Sequence, residues 1–337
     1  MSYDILLVGA GLTSASIAAK LKDKFKICII DTRSHIGGNC YDYKSNKGYM
    51  HAYGPHFFHS PDLEVVNFLS HYTKWYEKKH TVSAQLYNDM KVPFPFSKET
   101  QKYFYFPMDE DKIINTFFKQ YSKKMWGKEW EELPTSITSR VPKILETSEY
   151  FPNQLCGTPQ YGYTHMFENM FDGVDIVLNA DQDRWQDIDA KIKVYTGRPD
   201  QIKLKNGLRA GNCAGWVKYR SINFDIKIEK WDADTDVVNF VSLKQPYTRK
   251  TSYGHYFNNN SQLVVYETPR DSNVNELTPY YPISTEIEKV NACKSLVEKE
   301  IPSIIWAGRL GQNAYIDMHQ AVSMGINIAD RILKNNT

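Results

Sequence analysis

The sequence predicts an α/β fold in which both ends of the chain build one parallel sheet and the middle of the chain is inserted between them. Three observations carry this expectation. YDILLVG opens the chain as a continuous apolar run of strand length, an apolar-sided helix follows, and FKICIID ends a strand–turn–helix–strand unit at Asp31. SIIWAGR, near the other end, repeats the strand–glycine–helix form. Between them, from Trp216 to Thr268, the alternation in YRSINFDIKIE, VVNFVSL and QLVVYET reads as half-buried antiparallel strands.

The elements follow in order. The first helix is expected from about Thr13 to Lys22, with Ile17, Ala18 and Leu21 on one face. The stretch from His51 to Phe58 is irregular, and Pro61-Asp62 opens a helix through about Ser70. Pro93 and Pro95 break the chain. Asp109 to Lys124 reads as a helix, because Ile113, Phe117, Tyr121 and Met125 recur at four-residue spacing. Leu133 to Gly162 is expected to be irregular. A helix near Thr164–Met170 and strands at Ile176–Leu178 and Ile192–Tyr195 come next, then a charged helix around Ile287–Lys299. The last helix, about Asp317 to Lys334, carries Ala321, Met324, Ile328 and Ile332. Internal repeats and low-complexity segments are absent from the sequence.

Composition narrows the function. A chain of 337 residues holds about two domains, or one with large insertions. With 41 basic against 39 acidic residues, bulk attraction to nucleic acid or to an anionic membrane is not expected. The five cysteines are scattered and never form CxxC, which argues against a disulfide framework and a structural zinc site. The start carries no charged leader, and no apolar run has membrane-spanning length, so a cytoplasmic protein is expected. The 23 tyrosines suit sugar or base stacking and tyrosine-rich sheets equally.

Several motifs carry chemistry. In GAGLTSA, Gly9 permits a tight turn and Gly11 lets backbone approach a pyrophosphate, while Ser14 stands where a third glycine is usual. Asp31, at the end of the second strand, is placed to accept hydrogen bonds from a ribose. DTRSHIGGN adds Gly37-Gly38 close behind it, a second backbone approach to the pyrophosphate. QPYTR offers the planar donor fork of Arg249, which suits a diphosphate. KQYSKKMWG puts Tyr121 and Trp126 on a helix one turn after Phe117, a stripe that by itself reads as core more often than as a ligand wall. GRLGQNAYIDMHQ leads into a helix whose N-terminal amides could face a phosphate. HAYGPHFFHS gathers His51, His56 and His59, but the spacing fits no helix-borne zinc motif and the stretch holds no carboxylate or cysteine, so no metal is expected.

Together these motifs resemble the UDP-galactopyranose mutase family. The matching runs are LLVGAGLTSA, DTRSHIGGN, HAYGPHFFH, VPFPF, KQYSKKMWG, ELPTSITSRVP, YGYT, VYTG, KYRS, PYTR, PYYPI and GRLGQNAYIDM, in family order and spanning nearly the whole chain. The resemblance implies an isomerase that interconverts pyranose and furanose forms of a UDP-sugar, most simply UDP-galactopyranose and UDP-galactofuranose. It implies FAD that works reduced, with an external reductant such as NAD(P)H, through a covalent adduct between flavin N5 and the anomeric carbon. His56 is then expected beside the flavin and, with Arg249, in the catalytic set. Gly9, Gly11, Ser14, Asp31, Arg33, Gly37, Gly38, Asn39, Arg309, Asp317 and Met318 are expected to hold FAD. Phe117, Tyr121, Trp126, Lys143, Tyr150, Arg249, Tyr281, Tyr315 and Asp317 are expected on the UDP-sugar.

The fold implied is a discontinuous Rossmann-like FAD-binding domain (1–75, 163–200 and 300–337), a shortened helical substrate-side insertion with a mobile loop (96–150), and an antiparallel β-sheet domain (76–95 and 205–299). Two departures stand out. The family's mobile-loop pattern R-x-P-V-R reads Arg140-Val-Pro-Lys143-Ile144 here, so Lys143 is expected to supply the charge, with Arg198 a compensating candidate. The stretch between VPFPF and KQYSKKMWG, where the family builds its dimer interface, is short, so a monomer or a non-standard homodimer is expected. A UDP-arabinopyranose mutase, a flavin oxidoreductase of amine-oxidase type, and a nonenzymatic UDP-sugar binder are the alternatives.

Overall fold

A computed structural model describes residues 2–45, 48–139, 145–152, 154–257 and 260–335. Lys143, together with Arg140 and Ile144, lies outside the described residues.

The parallel sheet has five strands, in the order Asp175–Val177, Ile27–Ile30, Tyr3–Val8, Ala190–Tyr195 and Ile304–Trp306. The apolar runs are continuous because both faces are covered. Ile5, Leu7, Ile27 and Ile29 face the helices Leu12–Leu21, Tyr163–Phe171 and Met318–Asn335. Leu6, Cys28 and Ile30 face the other way, onto Trp185 and onto Cys293 and Val297 of the helix Ile287–Glu300. Ile5, Leu6 and Leu7 are completely buried, each contributing about 1.5–3 kcal/mol. Both chain termini meet here. The last helix packs against the first, and at the crossing a Cβ on Gly325 would lie 2.5 Å from the Thr13 carbonyl oxygen.

A seven-stranded sheet stands beside this unit, in the order Tyr281–Pro282, Tyr219–Ile228, Leu263–Asp271, Arg249–Ser252, Val237–Phe240, Val82–Gln85 and Lys91–Phe94. It departs from the all-antiparallel expectation at one junction, where Val237–Phe240 runs parallel to Val82–Gln85. The latter strand belongs to an early hairpin with Lys91–Phe94. More than a hundred residues separate the hairpin from its neighbour, so no tight turn dictates their direction. Arg249 begins its strand, and its register sets it directly opposite Glu267 and Asn239.

Two further local expectations fail. The helix read over Asp109–Lys124 divides into Glu110–Ile113, a π-helical turn over Ile114–Phe118, and Lys119–Trp126. The extra residue in that turn rotates the face that simple periodicity assigned. Within Leu133 to Gly162, Leu155–Pro159 forms the middle strand of a small antiparallel sheet between Phe58–Ser60 and Trp75–Glu77. Its residues LCGTP carry too little apolar alternation to announce a strand.

Candidate active site

The turn after the first strand is shaped by glycine. Gly9 has φ +104°, and a Cβ there would meet Thr196 Oγ1 at 2.1 Å. Gly38 has φ +58°, and a Cβ there would lie 3.1 Å from Gly11 Cα, so the two glycine-rich turns approach backbone to backbone. Asp31 joins them to the second strand: its carboxylate accepts from Ala10 N at 2.8 Å and from Arg33 N at 2.9 Å. Arg33 in turn donates to Asn39 Oδ1 at 2.8 Å and lies over the Tyr53 ring.

A cavity lies against these turns. Gly9, Gly11, Ser14, Asp31, Arg33, Gly37, Gly38, Asn39, His56, Arg309, Asp317 and Met318 all line it, so the structure brings together every residue expected at the cofactor. The helix Leu12–Leu21 starts at this cavity with no side-chain cap, leaving N-terminal amides to an anion. Ser14 is completely buried, and its Oγ finds no hydrogen-bond partner among the described residues. An uncapped helix start, two apposed glycine turns, an acid at the strand end and an orphaned hydroxyl fit a dinucleotide pyrophosphate and ribose.

A second cavity adjoins the first. Arg249, Tyr150 and Tyr315 line it, with His59, His80, Asn239 and Glu267. His56, Tyr280, Arg309, Asp317 and Met318 line both cavities, so these five residues form a common wall. Arg249 Nε meets Glu267 Oε1 at 2.7 Å; the carboxylate side chain is 3% exposed and the arginine side chain 39%. The buried acid thus fixes the orientation of a guanidinium that lines the cavity.

His56 is held by its own loop. Its Nδ1 is 2.8 Å from the Gly54 carbonyl oxygen, an acceptor, so the proton sits on Nδ1 and the lone pair on Nε2. Burial pushes its pKa down to about 3, helped by neighbouring His51, Arg309 and Arg249, and the ring is neutral at pH 7. His51 supports it from behind: its Nδ1 accepts the His56 backbone N–H at 2.8 Å, and its ring stands edge-on to Tyr163, Tyr253, Tyr256 and Phe257. His51 is 3% exposed and structural.

The aromatic stripe divides. Tyr121 is near enough to Arg249, Tyr150, Glu267 and Tyr315 to feel their charges, and burial pushes its hydroxyl pKa up. Trp126 packs edge-on against Tyr281 and Tyr315. Phe117 does not reach the cavity. It is 1% exposed and packs among Phe94, Phe96 and Phe104, in the same core cluster as Ile113. Tyr281 is also 1% exposed, and its hydroxyl donates to the Met125 carbonyl at 2.8 Å. Its neighbour Tyr280, just before the strand Tyr281–Pro282, lines both cavities instead. Arg198 cannot replace a loop arginine: it is 1% exposed, paired with Asp200 at 2.7 Å and bonded to the carbonyls of Asn273, Val274 and Glu276.

The family model described as UDP-galactopyranose mutase matches residues 116–315, and one for an NAD(P)-binding Rossmann-like domain matches residues 7–72. A UDP-galactopyranose mutase of Mycoplasma genitalium is 30% identical, covering 98% of this chain and 95% of the relative. The chain belongs to the UDP-galactopyranose mutase family. A dTDP-fucopyranose mutase of Escherichia coli is 28% identical, covering 98% of this chain and 99% of the relative. The crystal structure of a reduced UDP-galactopyranose mutase superposes with a TM-score of 0.76 at 13% identity, covering 99% of this chain and 96% of that one. A protein described as a protoporphyrinogen oxidase from Exiguobacterium superposes at 0.60 and 10% identity, covering 98% and 99%, which marks a fold shared beyond the mutase family. No helix among the described residues is long and apolar enough to cross a membrane.

Within this mutase-family frame, sequence reading missed His80, Asn239, Glu267 and Tyr280. Glu267 and Asn239 have a legible signal only once strand register is known. His80 carries none: it is a single histidine before a strand. In the fold it lines the second cavity, stacks on Phe57 at 4.6 Å, and has no partner for Nδ1 among the described residues.

Proposed function

We propose that this protein is a flavin-dependent mutase that interconverts the pyranose and furanose forms of a UDP-sugar, with UDP-galactopyranose the first substrate to test. The observation that supports it most is the five-residue wall between the two cavities, which would bring a cofactor ring and a sugar to opposite sides of the same side chains. Family membership supports the same reading.

FAD would be held by the backbone of Gly9, Gly11, Gly37 and Gly38, the amides of the first helix, Asp31, Arg33 and Asn39, with Ser14 Oγ supplying an unspent hydroxyl. Reduced flavin supplies a nucleophilic nitrogen to the anomeric carbon, and an external reductant such as NAD(P)H is needed to keep it reduced. The remaining work belongs to this chain. Arg249, oriented by Glu267, neutralises the diphosphate as it departs and returns. His56, neutral and donating from Nδ1 to Gly54, offers Nε2 as an acceptor at the shared wall. Tyr121, beside Arg249 and Tyr315, would present its ring to the nucleoside, Tyr150 and Tyr315 would close the sugar side, and Trp126, 6% exposed and lining neither cavity, would support Tyr315 from behind. Asp317, on both cavities, sets the sugar hydroxyls against the cofactor edge. The dinucleotide unit would be drawn from both ends of the chain and would include the helix Ile287–Glu300, whose Cys293 and Val297 pack on the parallel sheet, so the expected 205–299 sheet domain would end before it. An oxidoreductase of amine-oxidase type would have no use for a guanidinium seated on a buried acid beside the cofactor edge.

The test is anaerobic incubation with dithionite and separate UDP-galactofuranose, UDP-galactopyranose, UDP-arabinopyranose and dTDP-fucopyranose, resolved by ion-exchange chromatography. Ring interconversion that requires reductant is expected, fastest with a UDP-sugar. Turnover by oxidised enzyme, net oxidation of the sugar, or protein that cannot be loaded with flavin would overturn the reading.

A further inference from the structure

The local spacing of His51, His56 and His59 argues against a metal, but folding gives His59 different company. It comes to the first turn of the last helix, where one ligand atom each from His59, Asp317 and His319 lie within 4.8 Å of one another. The two imidazoles stand at 64° to each other with centroids 5.5 Å apart. We propose that these three side chains form a binding site for a divalent transition ion, zinc being the probe, and that its occupancy inhibits the enzyme.

Two independent observations support a ligand here. His319 Nδ1 is buried and has no hydrogen-bond partner among the described residues, and the His319 side chain borders a surface hollow with Pro61, Asp62 and Trp306, while His59 and Asp317 line the second cavity. A buried ring nitrogen left unsatisfied is destabilising unless something binds it. His59 is already oriented: its Nδ1 lies 3.2 Å from Gln154 Oε1, an acceptor, which places the proton on Nδ1 and the lone pair on Nε2. Histidine ligands in metal sites are commonly held this way by an outer carbonyl.

Two imidazoles and one carboxylate match zinc in type, leaving a fourth position for water. Zinc–nitrogen distances of about 2.0–2.1 Å put tetrahedral ligand atoms about 3.3 Å apart, so side-chain rotation has to close part of the gap. The N-terminal end of the helix Met318–Asn335 opposes a cation, which argues for micromolar affinity and not the tighter binding of structural sites. Inhibition follows from position. Asp317 lines both cavities, and a carboxylate drawn onto zinc leaves the shared wall.

The experiment uses flavin-loaded, EDTA-treated protein titrated with zinc chloride by calorimetry, with metal content checked by mass spectrometry. We expect one zinc per chain, affinity at least about tenfold weaker in His319→Ala, and no change in His71→Ala, an exposed histidine elsewhere. His319→Asn repeats the comparison should the alanine variant fail to fold. Mutase activity should fall with the same midpoint and return with EDTA, while His319→Ala keeps its metal-free activity and loses the zinc sensitivity. Absence of stoichiometric binding, binding as tight in both His319 variants as in the parent, or equal loss in His71→Ala would overturn the site. Binding without inhibition would overturn its regulatory role. Because calorimetry does not depend on turnover, failure of the mutase reading would be seen separately.

Discussion

Replacing Arg249 separates what the residue does for the fold from what it does for the substrate. In Arg249→Ala the Glu267 carboxylate, 3% exposed, loses the guanidinium opposite it. Stranding one member of a buried pair costs up to about 3–5 kcal/mol, but the arginine side chain is 39% exposed, and solvent screening brings the expected loss to about 1–3 kcal/mol. If the guanidinium also neutralises a desolvated diphosphate, transition-state stabilisation falls by a further 2–5 kcal/mol, about 30-fold to several-thousand-fold in kcat/KM. The two effects part company in Arg249→Met with Glu267→Gln, which removes both charges and keeps similar volumes. That double variant should regain stability to within about 1 kcal/mol of the parent, because no buried charge is left alone. Its kcat/KM should stay as low as that of Arg249→Ala. Urea unfolding and anaerobic mutase assays on the three proteins supply the numbers. The reasoning is refuted if Arg249→Ala keeps kcat/KM within about threefold of the parent. It is equally refuted if the double variant recovers activity along with stability.

Acid should destabilise the protein well before carboxylates titrate. Burial pushes His51 down to about 3, below its unfolded value near 6.5, so protons bind the unfolded chain first as pH falls. The stability this histidine contributes is present above pH 6.5 and lost on the way toward 3, about 2 kcal/mol of it by pH 5. His56 and His80 are displaced the same way. Urea midpoints at pH 7.5 and pH 5 read the effect, and a flat profile would sink it. Gly38→Ala forces a left-handed residue to carry a Cβ 3.1 Å from Gly11 Cα, so flavin content should drop. Gly207→Ala has φ +84° with nothing within 4 Å, and should lose stability without losing flavin. Equal flavin in the two variants, read by visible absorbance, would remove the cradle argument.

Much of the cofactor side could be read from the sequence because it is local. Gly9, Gly11 and Asp31 follow one another along a single strand–turn–helix–strand unit, so spacing along the chain is also spacing in space. The substrate side could not be read the same way. Glu267 meets Arg249 only through strand register, and His80 meets Tyr150 only through the fold. For Phe117 the helical spacing alone points to the core, where it lies with Ile113, and it is the family resemblance that places it on the substrate. Nothing in the sequence tells Tyr280 from Tyr281, because the strand that begins at Tyr281 is only two residues long and has no alternation to read.

The crossing of the first and last helices has a consequence for synthesis. Asp31, Ala10 and the glycine turns emerge early, yet Arg309, Asp317 and Met318 arrive only with the final segment, and Gly325 cannot seat against Thr13 until then. At about 5–20 residues per second, the first strand waits on the order of tens of seconds for its closing partners. From its own synthesis until the end of that wait, the edge of Ala190–Tyr195 that will pair with Ile304–Trp306 is unpaired. A nascent chain stalled short of its last helix would therefore hold half a nucleotide site beside an open sheet edge, exposed to quality-control proteases and to pairing with another chain.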